Sequence, residues 1–240
     1  MRRKLFTVMA LSVALLLFTI LMSGCGGTDE KQETVKDTET KTETSTEKKE
    51  GTQEMDNQND NAASGSVQYG PDGQPVKTLA DFPQGQDGAN VEAVIRTGKG
   101  DIVLQFHPAE APVSVAAFIQ RAREGAYNGT RFHRVVPGFV IQGGDPKSVD
   151  PNAPDVGTGG PGYYLPAEFS SLKHQAGTLA MARSKNVNSG GCQFYICLAP
   201  QQSLDGDYTV FGETVSGMEV VQQIAQGDLI KEIVIRPKSQ

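Results

Sequence analysis

The chain has 240 residues, 38% of them hydrophobic, and a formal net charge of −6, a length suited to one ordinary domain. Eleven acidic residues against five lysines in residues 28–60 account for all of that charge, so the rest of the chain balances to zero. The acidity says nothing about the partner of the folded part, and no basic patch argues for nucleic acid.

Residues 1–24 read as an export signal: Arg2, Arg3 and Lys4 precede an uncharged apolar run from Leu5 to Met22. Ser23-Gly24-Cys25 follows at once. Small residues before a cysteine resemble the bacterial lipobox, where the signal is cut and the cysteine acylated; Met22 stands where leucine is commoner. The alternative is an uncleaved membrane helix, since the 18 residues from Leu5 to Met22 are barely enough to span a bilayer. Either version is expected to leave the remainder outside the cytoplasm, bound to a bacterial cell membrane. Diacylation at Cys25 would supply the two-chain attachment that stable anchoring needs.

Residues 25–90 read as a tether. The acidic, Thr-rich part has almost nothing to bury and is expected to be disordered. Gly, Pro and Gln punctuate residues 64–90, although Val76 to Phe82 carry apolar side chains that suit docking against a domain. The 65 residues from Gly26 to Asn90 would average roughly 45 Å end to end as a flexible coil and could stretch to about 200 Å.

The folded part is expected over residues 91–240. Glu92 to Thr97 and Asp101 to Phe106 are short β-rich runs separated by Gly98-Lys99-Gly100, a hairpin signal. Pro112 opens a helical segment in which Val115, Phe118, Ile119 and Ala122 recur at helical spacing, and Gly125 ends it. Strands resume at 178–182, 193–198, 208–213 and 231–236, after a Pro/Gly-rich loop at 145–162. Between the last two, Ser216 is the expected cap of a helix with Val220, Val221 and Ile224 on its apolar face and Gly227 at its end. Many short strands, two helices and no βαβ alternation point to an antiparallel sandwich or barrel.

Residues 127–144 are the most informative stretch. A run from Phe132 to Val136 is bent by Pro137-Gly138, resumes as Phe139-Val140-Ile141, and stops at Gly143-Gly144. Alternation places Arg134, Val136, Phe139 and Ile141 on one side, against His133 and Val135. A charged donor, an aromatic ring and the Gln142 amide near one mouth of a sheet suit a partly apolar ligand carrying a carbonyl.

The same stretch resembles the signature of the cyclophilin-type peptidyl-prolyl isomerases, through Tyr127, Thr130, Phe132, His133, Arg134, Phe139, Gln142, Gly143 and Gly144. The similarity extends over about residues 91–237. It implies a closed eight-stranded antiparallel barrel with a helix over each open end. It also implies peptidyl-prolyl cis-trans isomerase activity without cofactor or metal, on proline-containing polypeptides, which the export signal would place outside the cytoplasm. By the match, Arg134 is the catalytic donor, Phe139 the floor of the proline pocket with Val140 beside it, and Gln142 orients the arginine or substrate. Met181-Ala182-Arg183 and Gln193-Phe194-Tyr195 resemble the substrate-lining strands. The Arg183 main chain would bind the carbonyl before proline, with Ala182, Gln193, Tyr195, Leu204 and Tyr208 lining the groove. Tyr195 stands where phenylalanine is usual, Ser203 where tryptophan is usual and Tyr208 where histidine is usual. The chain has no tryptophan, which puts tight cyclosporin binding in doubt.

The chemistry fits these residue types. A prolyl bond turns over a barrier of about 18–20 kcal/mol because the amide loses resonance as it twists. No bond to carbon breaks, so no nucleophile is needed; a donor to the imide nitrogen and an apolar seat for the ring are. Arg134 stays protonated and offers several N–H groups in a plane. His133, next to it, is expected to face the other way in a structural role. Other chemistries find little support. His107, His133 and His174 lack metal-ligand spacing, and Gly157 to Gly162 lacks the strand-to-helix context of a phosphate loop. No nucleophile elbow is present. Cys192 and Cys197 sit five apart on one strand, pointing to opposite faces with Cα atoms roughly 16 Å apart, so two free thiols are expected. A monomer is expected. The rival readings are a chaperone or adaptor that grips proline segments with little turnover, and a surface lipoprotein in which the domain is only a scaffold.

Overall fold

The computed structural model describes residues 67–238 apart from Pro71 and residues 84–87. The signal segment, Cys25 and the tether up to residue 66 therefore lie outside the described residues. Part of the expected tether is built onto the domain. Strands β1 (Gln68–Tyr69) and β2 (Pro75–Val76) form a small hairpin. The Lys77 N–H donates to the Tyr164 carbonyl at 2.9 Å and the Tyr164 N–H to the Pro75 carbonyl at 2.8 Å. Phe82 is buried, and the Lys77 ammonium lies 4.3 Å from the centre of the Tyr163 ring. As the apolar content of Val76 to Phe82 suggests, this segment docks because it has something to bury.

Strands β3 (Val91–Arg96) and β4 (Asp101–Phe106) pair as the expected hairpin. Along β4, Ile102, Leu104 and Phe106 turn inward while Asp101, Val103 and Gln105 stay outside, a period of two. Helix α1 (Pro112–Arg123) follows. Proline at its start needs no N–H partner, and the next two N–H groups, of Val113 and Ser114, donate to the Glu168 carboxylate at 2.8 Å each. Strands β5 (Arg134–Val136), β6 (Val140–Gly143), β7 (Thr178–Met181), β8 (Phe194–Cys197) and β9 (Val210–Ser216) complete the middle of the fold. Helix α2 (Met218–Val221) and strand β10 (Glu232–Pro237) close it.

The second helix corrects the sequence expectation. Ser216 ends β9 in register with Val103 and does not cap the helix. The cap position is Gly217, at φ +85°, where a Cβ would stand 2.2 Å from the Asp101 carbonyl. The helix is one short turn, yet Val220, Val221 and Ile224 are buried as the spacing predicts.

The eight longer strands form one antiparallel sheet in the order β10-β3-β4-β9-β7-β8-β6-β5. The implied closed barrel is realised as a curled sheet whose outer strands share no ladder. The segments ahead of β5 and β10 clasp instead. Gly129 donates to Ile230, Ile230 to Thr130, Phe132 to Asp228 and Gly227 to Phe132, all main chain at 2.8–2.9 Å, around an Arg131–Leu229 bridge. Phe118 of α1 plugs the interior, its ring 5.1 to 5.7 Å from those of Tyr127, Phe194, Phe211 and Phe106. Among the described residues no helix is long and apolar enough to cross a membrane.

Candidate functional site

Several strands are buried on both faces, and the outer face carries the site. Phe194 and Ile196 of β8 enter the interior core, whereas Tyr195 and Cys197 join a second apolar cluster with Val140, Ala180 and Val210. Phe139, Leu172, Ala182, Leu204 and Tyr208 pack against that cluster from its rim. Strands that read as unbroken apolar runs are explained by this double burial.

Register aligns the outer side chains. Arg134 pairs with Gln142, Gln142 with Tyr195, Tyr195 with Ala180 and Ala180 with Val210, a rank running across β5, β6, β8, β7 and β9. The expected face for Ile141 is corrected here. The turn Pro137-Gly138-Phe139, closed by the Phe139 N–H on the Val136 carbonyl at 3.0 Å, pairs Val136 with Val140 and Val135 with Ile141. Ile141 and Val135 therefore face the interior, and Val140 and Gln142 share the outer face with Arg134. Gly144 ends the stretch at φ +86°, where a Cβ would stand 2.4 Å from the Cys192 carbonyl.

A chain of amides fixes the polar side of the pocket. Arg134 Nη1 donates to Gln142 Oε1 at 3.4 Å, and Gln142 Nε2 donates to Gln193 Oε1 at 3.0 Å. Gln193 Nε2 donates in turn to the carbonyls of Gly157 and Gly159, each at 2.9 Å. The Arg134 guanidinium carbon lies 5.7 Å from the centre of the Phe139 ring. On the other side, the Arg183 guanidinium lies 4.5 Å from the centre of the Tyr208 ring and donates to the Asp207 and Ser184 carbonyls at 3.0 Å. The Ala182 N–H donates to the Gln193 carbonyl at 3.0 Å, while the Arg183 N–H has no partner among the described residues. Beside Gln142 and Gln193 opens a cavity of about 620 Å³ lined by residues 157–164, Ala182 and Arg183, and walled in part by Asp72 and Gln74 of the N-terminal hairpin.

Every sequence-predicted groove residue thus falls on this one surface: Arg134, Phe139, Val140, Gln142, Ala182, Arg183, Gln193, Tyr195, Leu204 and Tyr208. Behind the groove, His174, which the sequence marks only as lacking metal-ligand spacing, meets Asp205, which it does not single out. His174 Nε2 lies 3.0 Å from the Tyr195 hydroxyl and Asp205 lies behind His174; the signal was a buried histidine, which the sequence shows only as a scattered one. His133 has both ring nitrogens enclosed without a hydrogen-bond partner among the described residues, and burial lowers its pKa. Cys192 and Cys197 are free and buried. Burial pushes their thiols up to about 11 and about 12, away from nucleophilic behaviour. No group of metal-ligating side chains occurs among the described residues.

Residues 93–238 match the family described as cyclophilin type peptidyl-prolyl cis-trans isomerase/CLD. A peptidyl-prolyl cis-trans isomerase of Synechococcus elongatus is 44% identical over 146 residues, covering 60% of this chain and 95% of that protein. Peptidyl-prolyl cis-trans isomerase B of Bacillus subtilis is 43% identical over 134 residues, covering 55% of this chain and 88% of that protein. Among solved structures, a Cryptosporidium parvum cyclophilin type isomerase superposes with a TM-score of 0.55 at 29% identity, covering 62% of this chain and 99% of that one. The same protein solved in the presence of the dipeptide Ala-Pro gives a TM-score of 0.52 at 30% identity over the same shares of each chain.

Proposed function

The chain belongs to the cyclophilin-type peptidyl-prolyl cis-trans isomerases, and from that premise we propose which of its residues turn the prolyl bond and where it works. The observation that carries the assignment is the rank of Arg134, Gln142 and Tyr195 across the outer face, with a charged donor at the edge of an apolar pocket. The proline ring seats on Phe139, Val140, Tyr195, Leu204 and Tyr208. As the C–N bond twists, the imide nitrogen becomes pyramidal and basic, and Arg134 donates an N–H to it. Gln142 holds one edge of the guanidinium, and Gln193 holds Gln142. We assign the Arg183 N–H, without a partner among the described residues, to the carbonyl ahead of the proline, fixing one side of the bond while the other rotates.

To bring exchange from tens of seconds to about a millisecond, the site lowers the barrier by roughly 6 kcal/mol. Oriented hydrogen bonding supplies effects of that size once the bound peptide has displaced water from the guanidinium. The decisive experiment is isomerisation of a proline tetrapeptide by the full-length protein and its Arg134→Ala variant. The variant is expected to lose about 10²–10³-fold in kcat/KM with unchanged folding; retention of native activity would remove Arg134 from the role of donor.

The clients we propose are exported or cell-surface polypeptides. The basic, apolar and Ser-Gly-Cys order of residues 2–25 supports a lipid on Cys25 holding the domain on the extracytoplasmic side of a bacterial membrane. Mass spectrometry of the membrane-extracted protein should show a chain that begins at Cys25 and carries acyl mass, which Cys25→Ser should lack; a native chain that retains residues 1–24 would reject the lipid anchor.

A further inference from the structure

His174 lies in the loop ahead of β7, and its side chain is fully enclosed, 0% exposed. Its main-chain N–H donates to Asp205 Oδ1 at 2.8 Å, and its ring Nδ1 lies 3.1 Å from the same oxygen. An ionised carboxylate only accepts, so Nδ1 carries the proton. Asp205 is held below the usual carboxylate range, first by the His174 main-chain bond. In the neutral ring Nε2 is then the lone-pair nitrogen, and the Tyr195 hydroxyl 3.0 Å away donates to it. That hydroxyl has no other hydrogen-bond partner among the described residues.

This relay joins two walls of the proline pocket. Tyr195 stands on β8, and its ring stacks on the imidazole at 6.1 Å with 15° between the planes. Asp205 directly follows Leu204, on the loop that also carries Tyr208. The Tyr208 ring stands edge-on to both, 6.5 Å from His174 and 5.9 Å from Tyr195. Resting on the proline-pocket assignment above, we propose that His174 is a positioning residue. As the neutral Nδ1–H tautomer it holds the Tyr195 wall against the Leu204–Tyr208 loop, and its protonation releases that wall.

Protonation puts a hydrogen on Nε2, so two donors face each other. The Tyr195 oxygen can then only accept, and its O–H, with no second partner within hydrogen-bond distance among the described residues, is left unsatisfied. The titratable groups around the ring are Asp205, Lys173 beside it, Tyr195 and Tyr208, with Cys197 and Arg183 acting on Tyr195. Lys173 Nζ lies 3.4 Å from Asp205 Oδ2 and so weakens that carboxylate's pull on a charged ring. Burial outweighs Asp205 and keeps the His174 pKa below its ordinary value. The release therefore comes on the acid side of the ordinary histidine range.

The test is kcat/KM for a proline tetrapeptide from pH 7.5 to 4.5 with the full-length native protein, Tyr195→Phe and Asp205→Asn. Tyr195→Phe keeps the aromatic wall and removes only the tie. Native activity should fall about fivefold or more further than that of Tyr195→Phe over this range. Asp205→Asn should move the native midpoint to lower pH, because the charge that favours the protonated ring is gone. Parallel profiles for native and Tyr195→Phe would overturn the inference while leaving the pocket assignment standing; a native protein inactive at pH 7.5 would overturn the pocket assignment itself. Nitrogen-15 shifts of His174 at pH 7.5 give an independent check: Nδ1–H is expected, and Nε2–H would also overturn it.

Discussion

The two faces of strands β6, β7 and β8 are both largely apolar and buried, yet they differ in what their burial serves. Inside, Phe118, Phe132, Phe194, Phe211, Leu104 and Ile141 meet one another at almost zero exposure, with no charge among them. Outside, the smaller cluster around Val140, Tyr195 and Val210 is bordered by a guanidinium, two amides and a buried histidine. The interior is closed by its own side chains. The outer face leaves a rim of half-exposed residues, Phe139, Leu204 and Tyr208 among them, that a substrate can complete. Burial alone does not distinguish core from site; the polar groups at the border do.

Substitution should separate the two faces cleanly. The largest effect on stability is expected inside: Phe118→Ala removes a ring packed among four others and should cost about 3–5 kcal/mol in chemical denaturation. Arg134→Ala, outside, should leave the denaturation midpoint within about 0.5 kcal/mol of native while removing most turnover; a stability loss near that of Phe118→Ala would erase the distinction. Gln193→Ala, which frees Gln142 from its loop anchor, should lower kcat/KM about tenfold through looser positioning of Arg134, with KM changing less than kcat.

The histidine behind the pocket links the outer face to stability. Burial sets its folded pKa below the unfolded value of about 6.5. Its contribution is thus complete above that value and lost as pH falls through the folded pKa. The gap between denaturation midpoints at pH 7.5 and 5 should be narrower in His174→Phe than in the native protein, the remainder reflecting His133. The smallest effect is expected at the surface pair of Arg96 and Glu232, 2.7 Å apart with side chains 50% and 41% exposed. Glu232→Gln should change stability by under about 1 kcal/mol.

Local signals were readable where local geometry decides. The β4 alternation, the proline at the start of α1 and the run of matched residues from Tyr127 to Gly144 are all visible in linear order. Facing was misjudged for Ile141 because the three-residue turn at Pro137 to Phe139 shifts the alternation, and only pairing with β5 fixes which side is in. Ser216 looked like a cap because serine suits one; the sheet claims it first, and Gly217 makes the corner. The link of His174 to Tyr195 spans 21 residues and joins a loop to a strand, so no periodicity announces it. Docking of Val76 to Phe82 was visible in their apolar residues, whereas the hairpin of residues 68–76 read only as tether, because its partner Tyr164 lies far along the chain.

The clasp between residues 129–132 and 227–230 also fixes when the site comes into being. Its hydrogen bonds join segments about 100 residues apart, so closing it demands a long loop and comes late as the chain orders. The strand that carries Arg134 begins two residues after that clasp and has one neighbour, β6, on its other side. A nascent chain that ends before Ile230 lacks one half of the clasp, and so lacks the support that sets the arginine beside its pocket. A chain that has not reached Ile230 therefore holds Arg134 and Gln142 without the clasp that supports their strands.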